Sequence, residues 1–413
     1  MKRGRDLPTA NLFRKAMRSA IGQSAAEPNR PQKEARSAIA FAALTLVGLA
    51  GLASFAPRAD AAVSWVVHGR GFGHGVGMSA YGAYGYALRG KSYQFIIGHY
   101  YSGTTIGKLD GARMVRVLLD VSGGDVEFTD ATSACGRALD PARGYEAHRV
   151  ARSVRLRTSG GKPLANCGRK LRAAGKGTIE IAGLGRFRGA LETVPTEEAA
   201  GSLNVVNALT VDNYVKGVIP NESPPSWPLA QLQAQALAAR SFALTGAVGG
   251  NGFDLYNDTR SQVYEGLESE YRSSNDAADS TRGEVVMYGD EIATTMFSAC
   301  SGGHTESIQN VFGGPAVPYL QGVPDPFDGA CPLHRWTLRF SGPEISSRLG
   351  AYLDGRLKQV VVTKRGVSPR IIEAKLIGTG GTTTVTGEQL EVALGGHDTW
   401  MTFEKVVGRQ PSG

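Results

Sequence analysis

Whole classes of chemistry are missing from this chain. Its 413 residues hold no GxSxG elbow, no Walker loop, no Rossmann dinucleotide fingerprint and no HExxH pair, which leaves serine-hydrolase, nucleotide-dependent and zincin readings without support. No internal repeat and no coiled-coil pattern occurs. A basic excess is missing from the body of the chain. The formal charge of +8 comes from 45 Lys/Arg against 37 Asp/Glu, but residues 1–61 alone hold ten of the former and four of the latter. The remainder is close to neutral, with 35 against 33. A nucleic-acid reader keeps its excess in the folded part, so nucleic acid is not an expected partner.

Long apolar runs are also scarce. The one that exists, "SAIAFAALTLVGLAGLASFA" at residues 37–56, follows a string of basic residues and precedes "PRADAAV". Ala59 and Ala61 give the small-x-small pattern of a cleavage site, so residues 1–61 read as a polar N-terminus plus a signal peptide cut near Ala61. The alternative is an uncleaved membrane anchor, because twenty apolar residues can span a bilayer. Either way the body lies outside the cytoplasm, and a membrane enters only through an uncleaved leader. Cysteine is limited to four residues. In an oxidising compartment an even count suggests disulfides, and sequence order favours Cys135–Cys167 and Cys300–Cys331. "CSGGH" (Cys300, His304) and "CPLH" (Cys331, His334) leave a zinc site as the alternative.

Glycine, in contrast, is abundant, with 55 residues. Seven fall in the nineteen residues "GRGFGHGVGMSAYGAYGYA" (69–87), together with His74. A flexible linker would be polar, but Phe72, Val76, Met78, Tyr81, Tyr84 and Tyr86 suit packing. Residues 112–200 read as β-rich, including a hairpin with a Gly-Gly turn in "RSVRLRTSGGKPL". A short helix is expected at 211–216. The clearest helix follows in "SPPSWPLAQLQAQALAARSFALTGAVGG", with Ser226 as its N-cap and Pro228 in its first turn. A further helix is expected at 273–281. The last third reads as a strand meander, a short helix in "GEQLEVALG" and a closing strand in "TWMTFEKV".

Glu222 is the acid that stands out. It lies in "VIPNESPPSWP", where prolines stiffen the turn and Ile219 and Trp227 offer apolar walls that would raise its pKa. Placement just before a helix would pull the other way. A rigid, half-apolar seat suits a general acid. Gln233 and Arg240 share one face of the main helix. Ser301-Gly302-Gly303 sets a hydroxyl beside bare amides, which suits a polyol or an anion.

These segments together resemble a known family. "YVKGVIPNESPPSWPLAQLQAQALAARSFAL", "QVYEGLESE", "TRGEVVMYGDEIATTMFSACSGGHTES", "PYLQGVPDPFD" and the glycine block are similar to the motif blocks of the SpoIID/LytB family, stage II sporulation protein D and amidase-enhancer relatives. The resemblance implies an exported cell-wall protein. The family's enzymes are lytic transglycosylases acting on peptidoglycan glycan strands that lack stem peptides. Its catalytic glutamate falls on Glu222 and its helix arginine on Arg240. His74, Gly75, Ser79, Tyr81, Arg240, Tyr264, Ser301 and His304 are the implied substrate-binding or supporting residues. A non-catalytic wall-binding protein that enhances an amidase is the alternative, with that amidase as partner. The chain departs from the family pattern in three ways. Gln233 replaces a lysine. The region before "QVY" has no Cys or His, so no metal or other cofactor is expected. The glycine block stands first instead of last, as in a circular permutant. The expected architecture is α+β. A mixed, β-rich fold places one central helix beside the glutamate loop, and the glycine block completes the cleft. The segments are 62–106 (glycine-rich block), 107–200 (β-rich) and 201–413 (catalytic core with the meander).

Overall fold

The segment from Leu229 to Thr245 contains no β-branched residue before Thr245, and it forms the central helix of the molecule. In the computed structural model, which describes residues 63–196, 199, 201–246 and 249–408, this helix is buried nearly all round. Leu232, Ala236, Ala239 and Ala243 face one hydrophobic core, while Ala234, Leu237, Ala238 and Phe242 face another. Its alanines let four helices approach it: Ala80–Ala87, Tyr93–Tyr100, Val211–Glu222 and Arg272–Ser280. The N-cap is Pro228, with no side-chain hydrogen bond, and Ser226 lies outside the helix. A turn closed by Trp227 N–H donating to the Pro224 carbonyl (3.0 Å) holds this entry instead. The leader, including the expected cleavage near Ala61, lies outside the described residues.

The first of those two cores also supports the large sheet. Its strands run in the order Leu255–Tyr256, Met114–Ser122, Leu203–Thr210, Gly185–Pro195, Leu171–Ile181, Val126–Ala134, Tyr145–Val150, Ser153–Thr158 and Pro163–Asn166. Arg137–Ala138 adds a short edge strand beside Val126–Ala134. The expected Gly-Gly hairpin is present, with Leu156 opposite Ala165. Alternation sets the inward face: Val154 and Leu156 are buried, whereas Arg155 is exposed. A disulfide joins Cys135 to Cys167 across the far end of this sheet, and Cys300 is joined to Cys331. The second pairing takes both cysteines of the two Cys/His motifs, so neither is free as a thiolate ligand.

The first and last described strands meet in a third core. Strand Val63–Gly69 lies antiparallel between Trp336–Ser341 and Met401–Val407, with Gly69 opposite both Trp336 and Met401. The closing strand thus sits directly beside the strand that feeds the glycine block. The expected meander is Leu357–Arg365, Ile371–Gly378 and Thr382–Thr386, followed by the helix Gly387–Leu394.

The glycine block is not a tether. It threads between two loops: Phe72 and Cys300 exchange backbone hydrogen bonds (2.9 and 3.2 Å), and Gly73 N–H donates to the His397 carbonyl (3.0 Å). Met78–Ser79 then pairs in parallel with Phe297–Ser298. The segment "AYGAYGYA" becomes the helix Ala80–Ala87, capped by the Ser79 hydroxyl accepting from Gly82 N–H. Four of the five buried residues of this helix, Ala80, Gly82, Ala83 and Gly85, have little or no side chain, which is why glycine suits it.

Gly75 is a tightly enclosed position. Its φ is +71°, and a Cβ there would lie 2.3 Å from the central carbon of the Arg370 guanidinium. Gly90 has a similar φ of +73° with open space around it. Gly90→Ala is expected to cost about 1–2 kcal/mol from backbone strain alone. Gly75→Ala adds displacement of a buried cation and should cost at least about 3 kcal/mol. Urea unfolding of the two variants measures the difference.

Candidate functional site

The helix Val211–Glu222 starts at Thr210, whose hydroxyl accepts from Asn213 N–H, and runs six residues beyond the expected end. Pro220 lies inside it and donates no hydrogen bond to the preceding turn. Glu222 is its last residue. The carboxylate therefore sits at the negative end of a helix dipole and not at the positive end of the next helix, which reverses the electrostatic expectation. Burial raises its pKa, and a hydrogen bond from Val263 N–H to Oε1 (3.2 Å) partly offsets the rise. The seat favours the protonated carboxyl more than water does.

Neighbours fix that seat closely. Ser223 is pinned by the central helix, accepting from Gln231 Nε2 (2.8 Å). Asn221 Nδ2 donates back to the Gly217 carbonyl (2.8 Å). Behind Glu222, Tyr264 donates to Asn207 Oδ1 (2.7 Å) and Tyr214 to Gln262 Oε1 (3.0 Å), with the two rings 5.1 Å apart. Tyr264 is only 2% exposed, so it backs the site and does not face a ligand.

Arg240 is buried, with 0% exposure. It donates to Asp212 Oδ1 (2.9 Å) in the first turn of the glutamate helix, to the Glu284 carbonyl (3.0 Å) and to the Ala278 carbonyl (3.2 Å). A mid-helix arginine usually reaches solvent. This one clamps the helix that carries Glu222 and has no surface left for substrate. Gln233 is half-buried and donates to Ser280 Oγ (3.0 Å).

The glycine block meets the glutamate loop through aromatic rings. Trp227, five residues beyond Glu222, stacks on Tyr84 (centroids 4.6 Å apart) and meets Tyr81 edge-on (4.8 Å). All three are half-buried. Stacked rings with a partly exposed face suit the apolar face of a sugar. From sequence Tyr84 reads only as a packing residue and Trp227 only as an apolar wall, because the glycines hide the helix that sets Tyr81 and Tyr84 three residues apart on one side.

His74 is held by a different set of partners. Its Nδ1 accepts from Val76 N–H (3.0 Å), its remaining N–H donates to the Phe297 carbonyl, and its ring packs on Phe312 (5.5 Å). Burial and the nearby Arg370 charge push its pKa down to about 4. Both nitrogens are engaged and the ring is neutral, so it holds the turn, and none of these partners belongs to the Glu222 loop.

Ser301 is similarly enclosed, at 0% exposure. It donates to Asp325 Oδ2 (2.7 Å) and also lies 3.1 Å from Asp328 Oδ2. Ser79 and Tyr100 hydroxyls also bond Asp325. Asp328 accepts from Gly302 N–H (2.7 Å) and pairs with His334 (2.9 Å). Burial and the adjacent Asp328 push the Asp325 pKa up to about 6. His304 keeps more freedom: its Nδ1 contacts the Thr305 carbonyl (2.7 Å), and the ring is half-buried. Of the residues singled out from sequence, Glu222, Tyr81 and His304 retain surface for a ligand, whereas Gly75, Ser79, Arg240, Tyr264 and Ser301 support the scaffold.

Two outcomes follow from this wiring. Arg240→Met leaves the Asp212 carboxylate without its guanidinium and should cost about 3–5 kcal/mol, partly recovered in Asp212→Asn/Arg240→Met. A denaturation double-mutant cycle measures the recovery. Asp325, with its folded pKa raised to about 6, binds its proton more tightly in the native state. Its contribution is full below the unfolded value and is lost as pH rises through about 6. Asp325→Asn should remove that loss, read as the pH dependence of urea stability.

Comparison with known proteins places this geometry. Residues 199–288, which contain the glutamate helix, the central helix and Val263, match the family described as Stage II sporulation protein, SpoIID. A 169-residue stretch is 41% identical to an uncharacterized protein of Brachyspira hyodysenteriae, covering 40% of this chain and 45% of that one. Over 134 residues it is 37% identical to the amidase enhancer of Bacillus subtilis, covering 32% of this chain and 18% of the relative. Over 207 residues it is 28% identical to stage II sporulation protein D of Bacillus subtilis, covering 46% and 59%. The chain thus spans between about a fifth and three fifths of the length of these relatives. Through this shared segment the chain is similar to stage II sporulation protein D and amidase-enhancer proteins.

Proposed function

We propose that the protein is an exported, cell-wall-associated lytic transglycosylase that cleaves peptidoglycan glycan strands, preferentially those without stem peptides. The observation that carries this reading is the seat of Glu222: a half-buried carboxyl at a helix C-terminus, its pKa raised by burial, at the start of the loop that carries Trp227 onto the Tyr81 and Tyr84 rings. Similarity to this family and the two disulfides support a role outside the cytoplasm.

One carboxyl suffices for this reaction. Glu222 gives its proton to the glycosidic oxygen as the bond from C1 of N-acetylmuramic acid breaks. The 6-hydroxyl of the same sugar attacks C1, and its proton passes to the Glu222 carboxylate. The product is a 1,6-anhydro end, no water is consumed, and the acid is regenerated. A tethered nucleophile replaces the second carboxylate that a hydrolase needs to activate water. The rings of Trp227 and Tyr84 bind sugar faces, and Arg240 holds the helix in register.

The glycine block is read here as the family's terminal segment carried at the front of the chain. The pairing of Val63–Gly69 with Met401–Val407 supports this, because it joins the two points such a permutation would separate. The second reading is a non-catalytic wall binder that enhances an amidase. It is favoured by the identity to the amidase enhancer and by Gln233, which ties to Ser280 where the family pattern has a lysine.

Glu222→Gln keeps the shape of the side chain and removes its transferable proton. The variant should lose at least about 10²–10³ in rate while retaining its melting temperature and glycan binding. Mass spectrometry of denuded glycan strands detects the anhydro ends. Undiminished product from the variant overturns the mechanism, and binding without release by the native protein favours the amidase-enhancer reading.

A further inference from the structure

The near-neutral body conceals a strong polarisation of charge. Between Arg137 and Arg188 the chain holds thirteen Arg/Lys and three Asp/Glu, whereas the rest of the body from residue 62 holds 22 and 30. The basic stretch, with strand Val126–Ala134 and its Glu127 and Asp130 lying between its strands, forms the part of the large sheet tied by Cys135–Cys167. Its own acids are already spent: Asp140 pairs with Arg143, Glu146 with Arg157 and Glu180 with Arg186. The buried Glu192 is shared by Lys170, Arg172 and Arg116, which leaves excess positive charge above it.

Several cations have no acidic partner among the described residues. Arg152 lies in the turn before strand Ser153–Thr158, and Arg155 points outward from that strand opposite Asn166. Gly168 accepts from Val154 N–H (2.7 Å), so Arg169 follows directly beside them. All three are exposed. Arginine heads of this kind match phosphate oxygens in forked geometry. The only aromatic residues of the stretch, Tyr145 and Phe187, are buried, so no ring is available to stack a nucleobase. The chemistry on offer is therefore recognition of a phosphodiester backbone without bases.

We propose that the face carrying Arg152, Arg155 and Arg169 binds a linear phosphodiester polymer of the cell envelope, of the poly(glycerol phosphate) type. The inference rests on the cell-wall placement of the family and not on Glu222 chemistry. Strand Gly185–Pro195 packs against the Val211–Glu222 helix, so a polymer held on this unit keeps the glutamate site close to the wall. The acidic remainder of the body is repelled by the same polymer, which orients the molecule on it.

The test uses the protein from residue 62 to its end and end-labelled poly(glycerol phosphate), with affinity read by fluorescence anisotropy across a salt series. Affinity should fall steeply with salt. Arg152→Glu/Arg155→Glu/Arg169→Glu should weaken binding at least about tenfold and flatten the salt dependence. Arg339→Glu/Lys358→Glu/Lys364→Glu, with the same change in net charge on exposed strands of the C-terminal part, should keep affinity within about threefold. Both triples should keep the wild-type melting temperature and release the same anhydro products, which separates this result from failure of the Glu222 reading. Equal loss in both triples, absence of binding at low salt, or tighter binding of single-stranded DNA or of phosphatidylglycerol vesicles overturns the proposal.

Discussion

The burial of Arg370 constrains much of the C-terminal half of the molecule. Its guanidinium, 2% exposed, donates to the carbonyls of His304 (2.8 Å) and Ser301 (2.9 Å), to Ser368 Oγ (3.1 Å) and to Asp398 Oδ2 (2.6 Å). A buried cation is costly unless its donors are met, and here three separate segments meet both terminal nitrogens, while Nε has no partner among the described residues. The space it fills exists because Gly75 has no side chain. The neighbouring Gly71 leaves room for Asp398 in the same way, since a Cβ there would lie 2.4 Å from Oδ2. The glycines therefore provide volume as well as backbone freedom, and the volume is taken by an ion pair. Glu306 extends the network by accepting from Ser368 N–H and Val367 N–H (both 3.1 Å), which binds the loop before Arg370 to the segment after the Cys300 disulfide.

A second buried arginine organises the glutamate side. Arg240 reaches from the central helix to the first turn of the Val211–Glu222 helix, and Ser223 at its far end is held by Gln231 of the same central helix. The glutamate helix is thus fixed at both ends by one element. Polar groups buried on an otherwise apolar helix are costly unless satisfied, and here their satisfaction sets the register of a carboxyl. The site can then combine a raised pKa with a fixed position, the two demands placed on a general acid.

These two anchors divide the labour. The Arg370 network holds the glycine block against the 296–306 segment, and the block then carries Tyr81 and Tyr84 onto Trp227. The Arg240 network holds Glu222 at the start of the loop that bears Trp227. The aromatic contact is where the two meet. His74, Ser79 and Ser301, each polar and each in a motif that invites a ligand, are used inside the block to satisfy backbone and carboxylate groups.

Much was legible from sequence because it is local. Alternation gave the strands of 112–200 and the meander, helix-forming composition gave Leu229–Thr245, and the apolar residues among the glycines argued that the block packs. The two cysteine pairings followed from compartment and order, and the neighbouring terminal strands from the order of the family's blocks. The glycine content hid the Ala80–Ala87 helix, because propensity speaks against it and only packing against the central helix overrides that. Averaging charge over the body hid the basic unit. Which end of which helix carries Glu222, whether Arg240 faces water, and where His74 points depended on contacts between residues tens to hundreds of positions apart. Sequence supplied the chemical groups and the local conformations; burial, and the need to pair every buried polar atom, decided which of those groups face a ligand and which hold the scaffold.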